Sequence, residues 1–305
     1  MNNLQGLIAA PFTAFQSDGS LNLDKISQQA DLLISNHVKG VFIGGTTGES
    51  MSLTTEERKA IAEQWMKVSP SNFKVFIHTG HTSLSDCKTI AEHAQDIGAF
   101  ATGAMAPFFY KPITVEDLVL FTKEVAGAAP ELPFYYYHIP SMTGVDFPMV
   151  EYLESARGKI PNLAGIKFTN ENLMDFKLCQ GLDSGRFELL YGRDETLLCG
   201  LSLGATGAIG STYNYMAPLY NQIIDAWNDK ELVKAQELQH KAMKFVRILE
   251  KYGGGIVGGK AVMKLMGIDC GPVRPPLKNV TDKQLVMLQD ELEHIGYFKF
   301  TGCEA

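Results

Sequence analysis

Short apolar runs recur through the first two thirds of the chain, at residues 6–10, 41–43, 75–78, 101–105, 134–137, 164–167, 189–191 and 207–209. Each is bounded by Gly, Pro or polar residues and is short enough to be a strand. The segments between them change period. Ile26, Ala30 and Leu33, then Ile61, Trp65 and Val68, then Ile90, Ala94 and Ile97 each fall on one face of a helix. Several of these helices carry start signals. Thr54-x-x-Glu57 is a capping box, in which hydroxyl and carboxylate each accept a backbone N–H left free at the helix start, and Ser83-x-x-Asp86 and Thr114-x-x-Asp117 are acidic variants of it. Eight strand–helix units in a row predict a closed (β/α)8 TIM barrel rather than a doubly wound sheet, with the last two units compressed. After Tyr213 the pattern is helical, with Leu238, Ala242, Phe245 and Leu249 on one face, a glycine-rich break at 253–259 and two further helices. The expected organisation is a single catalytic α/β unit: a barrel over about residues 1–228 and a C-terminal helical extension over about 229–305.

Composition narrows the function classes. With 305 residues, 45% of them hydrophobic, the chain can bury a large core. A net charge of −7 without any run of Lys or Arg speaks against nucleic acid and against an anionic membrane surface. A small anionic metabolite remains allowed, since hydroxyls and backbone N–H groups bind one without a basic patch. Cys87, Cys179, Cys199, Cys270 and Cys303 form no C-x-x-C pair, and their odd number suits free thiols in a reducing compartment. The amino-terminal residues lack a basic segment followed by a sustained apolar one, and no apolar run is long enough to span a bilayer. A cytoplasmic protein is the expectation.

Two runs carry the most unusual chemistry, PFYYYHIPSMTG and, about thirty residues on, LAGIKFT; Tyr137 closes the apolar part of the first and Lys167 that of the second. A lysine in an apolar strand holds its charge where burial disfavours it, and a neutral amine attacks carbonyls to form a Schiff base; a phenol within reach can move the protons. The competing reading is a lysine that reaches the barrel rim or a buried ion pair. In a barrel the chemistry sits at the carboxyl ends of the strands, and other polar residues gather there. Strand two runs into GGTTGES, where successive N–H groups with the Thr46 and Thr47 hydroxyls could cradle a carboxylate. Strand seven ends in YGRDE, with Gly192, Asp194 and Glu195, and strand eight in GSTYN, with Ser211.

GGTTGES, YYYHIPSMTG, GIKFT and GSTYN together, in this order and spacing, resemble the pyruvate-dependent class I aldolase family, whose branches include sialic acid cleavage and dihydrodipicolinate synthesis. The resemblance spans nearly the whole chain. It implies that Lys167 forms a Schiff base with pyruvate, that Tyr137 moves protons, and that Thr46 and Thr47 hold the carboxylate. Met142 stands where the synthase branch has an Arg, so the sialic acid branch fits better; by that likeness Thr169, Gly192, Asp194, Glu195 and Ser211 would contact the sugar. The implied reaction is reversible cleavage of N-acetylneuraminate to pyruvate and N-acetylmannosamine, with no cofactor and no metal, in a homotetramer. Two alternatives stand beside it: a pyruvate aldolase for a 2-keto-3-deoxy sugar acid, and a non-catalytic sugar-acid-binding regulator, against which the presence of both Tyr137 and Lys167 argues. Many relatives place a Tyr from a neighbouring subunit in the proton relay; here Phe109 aligns with it and Tyr110 follows.

Three other motifs fail on context. Gly254 to Lys260 fits G-x-x-x-x-G-K, but Ala261 replaces the Ser/Thr that binds Mg²⁺ and no strand precedes it. Gly204-x-x-Gly207-x-x-Gly210 lacks the dinucleotide-binding spacing. His78 and His81 could ligate zinc, but no acidic third ligand lies nearby in sequence.

Overall fold

Eight strands, β1 (Gly6–Ala9), β2 (Gly40–Ile43), β3 (Lys74–His78), β4 (Ala101–Met105), β5 (Phe134–His138), β6 (Leu163–Phe168), β7 (Glu188–Tyr191) and β8 (Gly207–Gly210), close into a barrel in chain order. The computed structural model describes residues 4–301, so Cys303 lies outside the described residues. All neighbours are parallel, and β8 returns to pair with β1. Parallel neighbours need a crossover between them, and the helices supply it. The compressed unit is the seventh, where the helix Leu197–Ser202 separates β7 from β8.

The helices begin where the chain signals them. Thr54 and Thr114 each accept the backbone N–H three residues on, and Glu57 and Asp117 return a bond to the cap N–H; Ser83 accepts from Asp86. The faces Ile26–Ala30–Leu33, Ile61–Trp65 and Ile90–Ala94 are buried against the sheet.

Alternation along the strands produces two cores. Ile8, Phe42, Phe76, Met105, Tyr135, Tyr137, Leu190 and Ile209 fill the barrel interior. Val41, Ile43, Val75, Ile77, Tyr136, Ile166 and Phe168 face the helices. A register shift between Phe134 and Tyr135 lets β6 gain a residue on β5 and brings Tyr137 opposite Lys167.

Past the barrel the chain forms the helices Tyr213–Asn228, Leu232–Lys251, Gly254–Leu265, Asp282–His294 and Phe298–Thr301. One expectation needs correcting: residues 253–259 are not a break. The turn is confined to Gly253 and Gly254, at φ 85° and 71°, and the helix starts at Gly254. The later glycines are there for contact. A Cβ at Gly259 would lie 2.5 Å from Phe12 Cζ and 3.2 Å from the Tyr215 hydroxyl, so the missing side chain lets the helix seat on the barrel.

That contact is testable. Alanine is favoured over glycine inside a helix by about 1 kcal/mol, yet Gly259→Ala should lower stability by about 1–3 kcal/mol because the methyl overpacks a rigid ring. A rise in the urea midpoint would show that Phe12 yields at little cost.

Candidate active site

Strand register builds the centre of the site. Tyr137 and Lys167 are partners on β5 and β6, and both point into the barrel, where Tyr137 is 3% and Lys167 4% exposed. The Lys167 Nζ sits 3.8 Å from the Tyr137 ring centroid and 4.4 Å from that of Phe42. Among the described residues no carboxylate comes within ion-pair distance of it. The lysine is therefore neither at the rim nor in a buried ion pair. Phe42 was not anticipated, because three consecutive apolar residues, Val41 to Ile43, do not announce which of them faces inward.

The Tyr137 ring is edge-on to Phe42 and His78, and its hydroxyl lies 3.3 Å from Thr46 Oγ1. This contact brings the loop after β2 to the phenol. Thr47 is buried beside Thr46. The loop is fastened from several directions: the Thr13 hydroxyl donates to the Gly48 carbonyl at 2.7 Å, and the Glu49 N–H to the Thr46 carbonyl at 3.1 Å. His78 belongs to the same fastening. Burial, with the Arg58 and Lys167 charges nearby, holds its imidazole well below the usual range, and the neutral ring places Nδ1 2.8 Å from the Gly44 carbonyl. His81 instead accepts the Ser83 N–H through its own Nδ1. The two histidines thus orient backbone, and the described residues contain no group of three His, Cys, Asp or Glu side chains placed to hold a metal.

The remaining strand ends carry the second group. The Thr169 hydroxyl, just past β6, is buried without a partner. A Cβ at Gly192 would fall 2.0 Å from it, so only glycine fits opposite. Asp194 is buried, and its Oδ2 accepts the Thr212 N–H and hydroxyl, both at 2.8 Å. Burial pushes its carboxyl up to about 6, against the lowering effect of the Thr212 bonds. Glu195 pairs with Arg193 at 2.8 Å, and Arg193 in turn with Glu171 at 2.7 Å. With Arg193 and Thr196, Glu195 lines a groove of about 900 Å³ against the helix Leu232–Lys251. Ser211 is half-buried, its hydroxyl facing Gly255. Gln239, which carries no sequence signal, donates to the carbonyls of Asp194 and Glu195 at 3.3 and 3.0 Å and accepts the Leu198 N–H. Phe109 and Tyr110 stand out from the loop after β4, 73% and 85% exposed.

A closed parallel barrel whose interior presents an amine and a phenol at the carboxyl ends of adjacent strands is the layout of a barrel enzyme. The chain belongs to the dihydrodipicolinate synthetase family, whose profile matches residues 3–295. It is 41% identical to the N-acetylneuraminate lyase of Rattus norvegicus, over 99% of this chain and 95% of the rat protein. Among solved structures it is similar to the Proteus mirabilis N-acetylneuraminate lyase, at a TM-score of 0.94 and 38% identity over 97% of this chain and 100% of that one. It is equally similar to the N-acetylneuraminate lyase (sialic acid aldolase) of Aliivibrio salmonicida, at 0.94 and 38%, covering 97% and 98%.

The Asp194 environment makes a prediction about pH. Its carboxyl titrates at about 6 in the folded chain against 3.8 ordinarily, so between those values the native state holds a proton that the unfolded state has released. Stability is then lost as pH rises through that window, by roughly 2–3 kcal/mol in full. Asp194→Asn removes the titration. The stability of the variant relative to wild type should grow by that amount between pH 4 and 7 in urea titrations; a difference that stays flat would contradict the buried-carboxylate account.

Proposed function

We propose that this protein is an aldolase that reversibly cleaves N-acetylneuraminate to pyruvate and N-acetylmannosamine through a Schiff base on Lys167. The observation that carries the reading is the side-by-side placement of Tyr137 and Lys167 inside the barrel; the likeness to lyases named for this substrate supports it.

The chemistry follows from the groups in place. The amine of Lys167 adds to the C2 carbonyl of the open-chain sugar acid and water leaves, giving an imine. Tyr137 accepts the proton of the C4 hydroxyl at its oxygen, with the substrate carboxylate as relay for the phenolic proton. The C3–C4 bond breaks, its electrons pass into the imine as an enamine, and N-acetylmannosamine departs as the aldehyde. Protonation at C3 and hydrolysis release pyruvate and restore the amine. The protonated imine is itself the electron sink, so the scheme needs no cofactor. Thr46 and Thr47 would hold the carboxylate by hydroxyl and N–H donors. Thr169, Gly192, Asp194 and Ser211 would line the sugar side, with Glu195 at its edge.

Two further points belong to the same proposal. The protein is read as cytoplasmic, in line with the free thiols of Cys87, Cys179, Cys199 and Cys270 and with the lack, among the described residues, of any helix long and apolar enough to cross a membrane. It is read as a homotetramer in which a neighbouring barrel covers Phe109, Tyr110 and Ile113, exposed apolar side chains that water disfavours. Tyr110 would thereby come within reach of a neighbour's proton relay.

One observation favours a second reading, an aldolase for a 2-keto-3-deoxy sugar acid: Glu195 is paired with Arg193 and has less acceptor capacity to offer a polyol tail. Two experiments test the scheme and separate the readings. Incubation with pyruvate and borohydride should place a reduced pyruvyl group on Lys167, seen by peptide mass spectrometry; a label on another lysine, or none, rejects the mechanism. Glu195→Ala should lower kcat/KM for N-acetylneuraminate by about ten- to a hundredfold, the cost of a lost polar partner, while leaving that labelling unchanged. An unaltered kcat/KM moves the keto-deoxy sugar acid to first place.

A further inference from the structure

The G-x-x-x-x-G-K stretch that failed as a phosphate loop ends in a lysine whose surroundings give it another task. Lys260 lies on the helix Gly254–Leu265 and is 5% exposed. Its ammonium sits 2.7 Å from Glu49 Oε1, donates to the Pro272 carbonyl at 2.7 Å and lies over the Phe15 ring. Burial lowers it from the ordinary lysine range, and Glu49 opposes that. Glu49 is buried as well, its side chain 1% exposed. Its Oε2 accepts the backbone N–H of Arg274 at 2.9 Å. The Arg274 guanidinium continues the clamp, donating to Glu57 and to the Ser52 carbonyl.

Glu49 is also held in an unusual backbone state. It is the next-to-last residue of GGTTGES and stands at φ 54° and ψ 34°, a left-handed conformation that residues with a Cβ rarely adopt and that surrounding structure must impose. Rotation there is transmitted directly, because the Glu49 N–H bonds the Thr46 carbonyl and the Ser50 N–H bonds that of Gly45. A buried ion pair is a poor source of net stability, since removing two charges from water costs nearly all that their attraction returns. In some proteins such a pair instead selects one geometry.

We propose that Glu49 and Lys260 are positioning residues for the reaction: a buried tether from the C-terminal helices that holds Glu49 left-handed and so aims the Thr46 and Thr47 donors at the carboxylate of pyruvate. Neither residue touches the Lys167 amine; both act through the loop. The inference rests on the Schiff-base reading, and its test uses the same chemistry with a different readout.

The measurement is the pyruvate concentration that half-saturates borohydride labelling of Lys167, together with the final extent of labelling and the thermal midpoint. Glu49→Gln and Lys260→Met each strand one buried charge, so the decisive variant carries both changes, which removes the two charges together. The double variant should melt close to wild type and still label fully, but half-saturation should rise about ten- to a hundredfold, the usual penalty for donors displaced by an ångström or so. Lys260→Arg, which keeps the charge, should recover much of that loss. Half-saturation in the double variant that stays at the wild-type value overturns the inference and leaves the Schiff base standing. A double variant that fails to fold assigns the pair to the barrel instead of the loop and overturns it equally. A wild-type protein that takes no label removes the Schiff-base reading, and this one with it.

Discussion

The structure depends on the parallel register between β5 and β6. Side chains on a strand alternate between its two faces, so a slip of one residue would turn Tyr137 or Lys167 out toward the helices. The pairing of Tyr137 with Lys167 is what puts phenol and amine on the same inner surface. That register is held by contacts on both faces. Tyr136 and Phe168 pack outward among the helices, Tyr136 against Tyr152 and Phe168 against Phe176, while Phe42 closes on the amine from across the barrel. A polar site inside an apolar cylinder is stable here because the residues one step away along each strand are anchored in a different core.

Around that centre, polar groups are deployed in two distinct ways. Some are fully engaged and serve as framework: Thr13 on the Gly48 carbonyl and Gln239 on those of Asp194 and Glu195. Others are buried and open to a ligand: the Thr169 hydroxyl has no hydrogen-bond partner, and the Lys167 amine lies over the Phe42 and Tyr137 rings. Leaving a buried polar group unpaired is costly, so such groups are expected where a ligand completes them. Thr13 and Gln239 thus belong to the scaffold of the site, and Thr169 and Lys167 would belong to its working surface. By this criterion Asp194 stands between the two. One of its oxygens holds the start of the helix Tyr213–Asn228 through Thr212, and burial pushes the carboxyl as a whole above the usual carboxylate range.

The C-terminal helices are part of the same machinery. They seat on the barrel through Gly259 against Phe12, reach the acidic turn after β7 through Gln239, and reach the loop after β2 through Lys260, joined there by Arg274 from the segment between two of the helices. All three contacts end on loops at the carboxyl ends of strands, Phe12 lying just past β1. An extension that merely covered apolar surface would not need buried donors aimed at those loops.

Strands, helices, caps and the residues flanking the chemistry were legible in the chain because they depend on local rules: period two against period three and a half, hydroxyl and carboxylate three residues apart, and polar residues at the ends of apolar runs. Tyr137, Lys167 and the Thr46–Thr47 loop stand out on those grounds alone. Other features were settled only when distant segments met. Glycines at 253–259 read as a break by propensity, yet most lie in a helix, since close packing on Phe12 outweighs glycine's conformational entropy. Phe42, Gln239 and Lys260 carry no local mark of their roles, which arise from partners far away in the chain. Burial, finally, is a property of the assembled barrel. The sequence places Asp194 at the end of a strand, but only the enclosing structure withdraws it from water and moves its titration toward neutrality, because desolvation requires neighbours on every side.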